Sequence, residues 1–244
     1  MKAIGTIAAL STFVAATITG DLEQVYAKYV AQHKKNYLTT EEYEVRFENF
    51  AKTHYAIERH NAQNKSWTLG HNFLSDWTEA EKLLLTGYTS KPLKQGVINS
   101  GKGIKATEID WTHLESVSNV KNQGHCGSCW SFSTTGSIES NSEIKHGKYI
   151  SLSEQQLVDC SDLNHGCNGG EYDPAFRYAA IYGMMSERDY PYLAINSDCA
   201  YDAKKVVNNH VDKTSAYTDI NAGDIDTFLS LLAKGPISIA IQAD

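Results

Sequence analysis

The stretch Gln123-Gly124-His125-Cys126-Gly127-Ser128-Cys129-Trp130 decides how this chain is read. Ser128 precedes a proline-free run from Cys129 to Lys145 that keeps small residues at Ser133, Thr134, Gly136 and Ser137 and ends near Gly147. That pattern predicts a helix packed closely against its neighbours. Cys129 then falls in the first turn, where the partial positive charge of the helix N-terminus stabilises a thiolate. This makes it a better nucleophile than Cys126. Gln123 carries a side-chain N–H that a folded-back loop can bring, together with the Cys129 backbone N–H, onto a developing oxyanion. Gly124 and Gly127 permit the tight path.

The spacing of Cys126 and Cys129 also fits a thioredoxin-like redox pair or half of a zinc site. Zinc calls for a second close pair, whereas Cys160 and Cys167 are well separated and Cys199 stands alone. A redox pair leaves those three as an odd set.

Outward from this run, the 244 residues with 41% hydrophobic content suffice for one sizeable core plus an appended segment. A net charge of −7 argues against nucleic acid or an anionic membrane as partner. Lys2, the apolar stretch from Ile4 to Ile18 and Gly20 before Asp21 have the layout of a secretory signal peptide over 1–20, too short in its apolar part for a membrane anchor. Secretion places the five cysteines in an oxidising compartment, where an odd count leaves one thiol free. All five follow residue 125, so the first half reads as a separate module, with a polar, Gly-containing linker near 90–106.

In that first module Leu22, Val25, Tyr26 and Tyr29, then Tyr43, Phe47, Phe50 and Ile57, recur at helical spacing, with a start signal at Thr39-Thr40-Glu41-Glu42. Two amphipathic helices are expected. Further helices are expected over Ser153–Asp159, over Asp173–Tyr182 with Pro174 in the first turn, and over Asp224–Ala233. Ile237, Ile239 and Ile241 alternate with Ser238, Ala240 and Gln242 and predict a strand, and Lys204–Tyr217 a second.

The run 123–130 contains the signature C-G-[SA]-C-[WY] and stands with Asp110-Trp111, Leu152-Ser153-Glu154-Gln155, Leu157-Val158-Asp159-Cys160, Gly166-Cys167-Asn168-Gly169-Gly170 and Tyr190-Pro191-Tyr192. Together they resemble the precursors of papain-family cysteine proteases, nearest the cathepsin L type, over everything after residue 20. The resemblance implies an α+β, papain-like two-domain fold: a helical left domain with Cys129, a sheet-rich right domain only begun here, and a helical inhibitory propeptide. The implied domains are 21–105 for the propeptide and 106–244 for an incomplete peptidase domain.

By the same resemblance Cys126 pairs with Cys167 and Cys160 with Cys199, which leaves Cys129 as the free thiol. Gly169 and Gly170 are expected to pair with an extended substrate backbone, and a tight turn beside a disulfide is their plainer role. Tyr172 and Ala240 fall where the family lines its S2 pocket, beside Glu171, and suggest apolar P2 side chains. Glu154 resembles a buried structural acid. Glu42, Arg46, Phe50, Ile57 and Asn61 match the helical motif of cathepsin L-type propeptides, with Thr53 and Asn49 departing from it. Gly70, Asn72 and Asp76 match the short motif that follows, with Leu74 in place of its Phe. Such a propeptide runs backwards through the cleft and is removed as acid weakens its carboxylate contacts.

The family's catalytic histidine and its orienting asparagine are absent, and none of the nine histidines stands in their context, His125 and His165 included. The expectation is therefore an endopeptidase zymogen represented by its nucleophile half, inactive alone. A propeptide-type inhibitor, a non-catalytic binding module and a thiol redox protein are the alternatives. The implied partners are polypeptide substrates and the chain's own propeptide acting as intramolecular inhibitor, with the protein a monomer in the secretory pathway, lysosomal, vacuolar or extracellular. No metal or other cofactor is implied. Asn64-Lys65-Ser66 is an N-glycosylation sequon.

Overall fold

The computed structural model describes residues 21–89, 95–99, 108–115 and 117–241. The expected signal peptide, much of the expected linker and residues 242–244 lie outside them. The chain divides into two compact units, Met1–Lys82 and Leu83–Asp244.

In the first unit a helix over 21–32 (α1) is followed by Thr40–Asn61 (α2). The start of α2 is a reciprocal cap: the Glu42 N–H donates to Thr39 Oγ1 at 3.1 Å, and the Leu38 N–H donates to Glu42 Oε2 at 3.0 Å. Leu22, Tyr26, Tyr29 and Phe50 form the buried seam, and the Tyr26 and Phe50 rings lie 5.0 Å apart. Burying each such side chain stabilises the unit by about 1.5–3 kcal/mol. Val25 and Tyr43, expected on the same faces, are exposed.

The chain returns along these helices to Asp76, which is 1% exposed. Tyr29 Oη, Lys35 Nζ and Tyr37 Oη donate to its carboxylate at 2.8, 2.8 and 2.6 Å. Burial alone would raise its pKa, but these three donors hold it below the ordinary carboxylate range. Arg46 grips Glu81 through two bonds of 2.5 and 2.6 Å and pulls that carboxyl down to about 2. Asn61 exchanges two bonds with the backbone of Leu69, at 2.9 and 2.8 Å. A short helix, Glu79–Leu83 (α3), begins in this unit and ends on the first residue of the second.

The second unit is built on Cys129–His146 (α4), Glu154–Cys160 (α5) and Tyr172–Tyr182 (α6). The core joins Trp130 and Ile138 of α4 to Leu152, Leu157, Val158, Ala175, Tyr178, Ala179 and Met184. α4 buries Ser131 and Thr134, whose hydroxyls bond back to the carbonyls of Ser128 and Trp130, so small polar residues meet the core with their donors satisfied. Gly147 ends α4 in the left-handed region at φ 64°. Ser153 caps α5 by accepting from the Gln156 N–H.

Strands are few. Gln95–Asn99 (β1), within the stretch expected as linker, pairs in parallel with Ala222–Asp224 (β4), and Met184–Met185 (β2) pairs antiparallel with Val206–Asn208 (β3). Ile225–Leu232 (α7) follows β4, capped by Asp224. Two expectations need correction. The segment 237–241 is not a strand: the Ile239 carbonyl accepts from the Tyr172 side chain instead of a neighbouring strand, the Ser238 side chain donates to the Ser133 carbonyl of α4, and Ile239 and Ile241 are exposed. Alternation fixes which face a strand would bury but supplies no partner for its ladder. Of Lys204–Tyr217 only β3 is a strand, because Asp202 caps a short 3₁₀ turn over Ala203–Lys205 and Asp212 folds the later part through bonds to Thr214 and Ser215.

Candidate active site

Cys129 is the first residue of α4, half-buried and not disulfide-bonded. It lines a cavity of 320 Å³ with Gln123, Phe132, Lys121 and Glu139. The loop before it is tied down by a disulfide between Cys126 and Cys167, and by the Gly127 N–H donating to the Cys167 carbonyl at 2.9 Å. A second disulfide joins Cys160, at the end of α5, to Cys199.

Gln123 turns its amide toward this loop. Nε2 donates to the Cys126 carbonyl at 2.8 Å and to the Leu85 carbonyl at 3.0 Å, so both of its hydrogens are used. Leu85 begins a short stretch, itself part of the second unit, that runs beside the glycines. The Gly170 N–H donates to the Gly87 carbonyl at 2.8 Å, the Thr89 N–H donates to the Gly170 carbonyl at 3.0 Å, and Tyr88 pairs with Gly170 in parallel.

The glycines are sterically required. A Cβ on Gly170 would come 2.6 Å from Asn164 Oδ1 and 2.8 Å from the Trp130 ring. Gly169 sits at φ 113°, and a Cβ there would meet the Gly87 carbonyl oxygen at 2.6 Å. Tyr172, half-buried, stacks its ring on Tyr88 at 4.7 Å, and burial pushes its phenol up to about 12. Ala240 is exposed; the contact with Tyr172 is made by the carbonyl of its neighbour Ile239.

Two of the lining residues, Lys121 and Glu139, belong to a charged group. Lys121 Nζ donates to Glu154 Oε1 at 2.7 Å and Glu139 Oε1 at 3.3 Å, and Thr135 also donates to Glu154. Burial pulls Lys121 down, but the two carboxylates outweigh it and hold the lysine above its ordinary value. Burial raises Glu139. Among the described residues no group of three or more His, Cys, Asp or Glu side chains could hold a metal ion.

Residues 105–244 match the model of the papain family cysteine protease, and residues 26–81 match the cathepsin propeptide inhibitor domain. The chain belongs to the papain family of cysteine proteases. Its relatives include a cathepsin L-like peptidase of Aedes aegypti, 36% identical over 96% of this chain and 75% of that protein. Cathepsin L of Sarcophaga peregrina is 37% identical over 91% of this chain and 70% of that one. Among solved structures, the digestive procathepsin L 3 of Tenebrio molitor superposes with a TM-score of 0.66 at 35% identity, over 77% of this chain. The present chain spans 63% of that procathepsin chain, less than two thirds.

Sequence reasoning about this papain-family chain missed several residues around the cavity. Leu85, Gly87 and Tyr88 carry no local signal for a place beside Gly170. Asn164 accepts from the Glu171 N–H at 2.8 Å and shapes the turn before α6. Tyr192 stood in the quoted Tyr-Pro-Tyr motif without a role, although its hydroxyl donates to the Gln123 carbonyl at 2.8 Å.

Proposed function

We propose that the chain comprises the inhibitory propeptide, residues 21–105, and the nucleophile-bearing part, residues 106–244, of a cathepsin L-type endopeptidase precursor of the secretory pathway. In this reading the Cys129 thiolate attacks the carbonyl carbon of a scissile peptide bond. The carbonyl π electrons move onto oxygen, where the Gln123 side-chain N–H and the Cys129 backbone N–H receive the negative charge. Gly169 and Gly170 hold the extended peptide backbone, and Tyr172 with Ala240 borders a pocket for an apolar P2 side chain.

One observation carries the reading: a peptide carbonyl, that of Leu85, accepts from Gln123 Nε2 at 3.0 Å while the following residues pair with Gly170. A chain segment thus lies where a substrate is proposed to lie, which supports an intramolecular inhibitor. Collapse of the thioester-forming intermediate requires a proton on the leaving amine. None of the nine histidines stands in the family's catalytic context, so these 244 residues alone are expected to turn over no peptide efficiently.

The test uses the purified 244-residue chain with its disulfides intact. Iodoacetamide followed by peptide mapping is expected to modify Cys129 alone, and a fluorogenic peptide with an apolar P2 residue to remain uncleaved. Protection of both Cys126 and Cys129, with Cys167 alkylated instead, would mean the two are a redox pair. Hydrolysis that disappears in Cys129→Ala would overturn the inactivity of the chain, and hydrolysis that persists there would overturn the nucleophile.

A further inference from the structure

Ser128 occupies the N-cap position of α4, where a serine ordinarily turns its hydroxyl back to accept from a first-turn N–H. Here it makes no such bond. Its side chain is fully buried, and its hydroxyl lies 2.5 Å from Tyr192 Oη, with the Cys126 carbonyl a distant second at 3.5 Å. Tyr192 Oη in turn donates to the Gln123 carbonyl at 2.8 Å. A phenol has one proton. With that proton on Gln123, the Ser128 O–H must donate to the Tyr192 oxygen, which gives a directed chain from Ser128 through Tyr192 to Gln123.

Two consequences follow. The serine oxygen is held away from the start of α4, so no hydroxyl dipole offsets the positive helix terminus beside Cys129. The backbone of Gln123 is fixed to the residue that immediately precedes Cys129. Tyr192 is itself held from other sides: its ring packs edge-on against Phe132 of α4 at 4.8 Å, and its N–H donates to Glu187 Oε1 at 2.8 Å.

We infer that Tyr192 is a positioning residue of the proposed active site, which keeps the N-terminus of α4 uncapped toward Cys129 and locks Gln123 to the same frame. The inference rests on the reading of Cys129 as the nucleophile. Its distinctive claim is that the Ser128 hydroxyl, once released, becomes harmful.

The test measures the iodoacetamide alkylation rate of Cys129 in the full chain, disulfides intact, at pH 6.5 relative to pH 10. Tyr192→Phe keeps the ring and its packing and removes only the hydroxyl. The freed serine can then cap α4, and the relative rate is expected to fall about two- to fivefold, the size of a first-turn dipole contribution. Ser128→Ala in the Tyr192→Phe background removes the cap and is expected to restore the relative rate to near wild type. No general loosening of the fold predicts such a rescue. An unchanged rate in Tyr192→Phe, or a fall that the double variant does not restore, overturns the inference. The underlying reading fails separately, if native wild-type chain reacts at pH 6.5 no faster relative to pH 10 than the same chain in urea.

Discussion

Glu187 is half-buried beside the charges of Glu154 and Lys121, and a neutral amide in its place should stabilise the second unit at alkaline pH. Its Oε1 accepts from the Tyr192 N–H at 2.8 Å, and its Oε2 is buried without a hydrogen-bond partner. Lys121 is already committed to Glu154 and Glu139. Burial, reinforced by the Glu154 charge and opposed in part by the Tyr192 N–H and the Lys121 charge, pushes the Glu187 carboxyl from 4.5 up to about 7. The folded protein therefore binds this proton more tightly than the unfolded chain. That contribution is fully present below about 4.5 and is lost as pH rises through 7. At about 1.4 kcal/mol per unit of pKa, the loss amounts to roughly 3 kcal/mol as an upper bound.

Glu187→Gln keeps the acceptor for Tyr192, offers an N–H₂ toward Glu154 and has no proton to lose. Relative to wild type, it is expected to leave the unit near its original stability at pH 4.5 and to raise it by about 2–3 kcal/mol at pH 8. Two compact units need not unfold as one, so a single melting curve is the wrong measurement. Native-state hydrogen exchange on the full chain, read on amides of α5 and of 184–192 and corrected for intrinsic rates, isolates this unit. Wild-type protection should decline between pH 5 and 8, and the variant should not follow. Protection that is flat with pH in the wild type, or that declines equally in Glu187→Gln, would refute the reasoning.

The first unit should respond to acid in the opposite sense. His54 Nδ1 and His71 Nε2 are 3.0 Å apart, an arrangement that needs one donor and one acceptor; burial, then His54 and His33, lower the His71 pKa below its ordinary 6.5. A histidine lowered by folding contributes stability that is present above about 6.5 and lost as pH falls below it, so protection of α2 and of 66–75 should drop between pH 7 and 5. His71→Phe should abolish that drop; a drop that persists would assign it elsewhere. Asp76→Ala removes the carboxylate that Tyr29, Lys35 and Tyr37 share, leaving Tyr29 and Lys35 only the Phe73 carbonyl, and is expected to cost about 3–5 kcal/mol in protection of the α1 and α2 amides. A loss under about 1 kcal/mol would show that the three donors find water at little cost.

These signs alter how acid acts on the propeptide. The resemblance implied that its carboxylate contacts weaken first, yet Asp76 and Glu81 are both held below the ordinary range by their donors. At the pH of an acidic vesicle both remain ionised. The contact between His54 and His71, whose pKa burial lowers, is the acid-sensitive element argued for this unit, and no motif pointed to it, because the two are neighbours only once the chain has returned along α2.

The same distinction separates what the sequence showed of the site from what it hid. Caps and helix ends at Thr39, Ser153 and Gly147 are local events, decided within a turn by residues adjacent in the chain. Gly87, Gly127, Gly169 and Gly170 are different. Read singly, each is a residue that permits a turn. In the fold they face one another: a Cβ on Gly87 would lie 1.8 Å from the Gly127 carbonyl oxygen, one on Gly127 would lie 2.7 Å from that of Cys167, and one on Gly169 would lie 2.6 Å from that of Gly87. At Gly87, Gly127 and Gly169 no side-chain rotation could absorb a substitution, because the nearest obstacle is backbone; at Gly170 it is the Asn164 side chain and the Trp130 ring. Their common requirement is a slot one polypeptide backbone wide beside Cys129, a property of three separate stretches of chain that none of them carries alone.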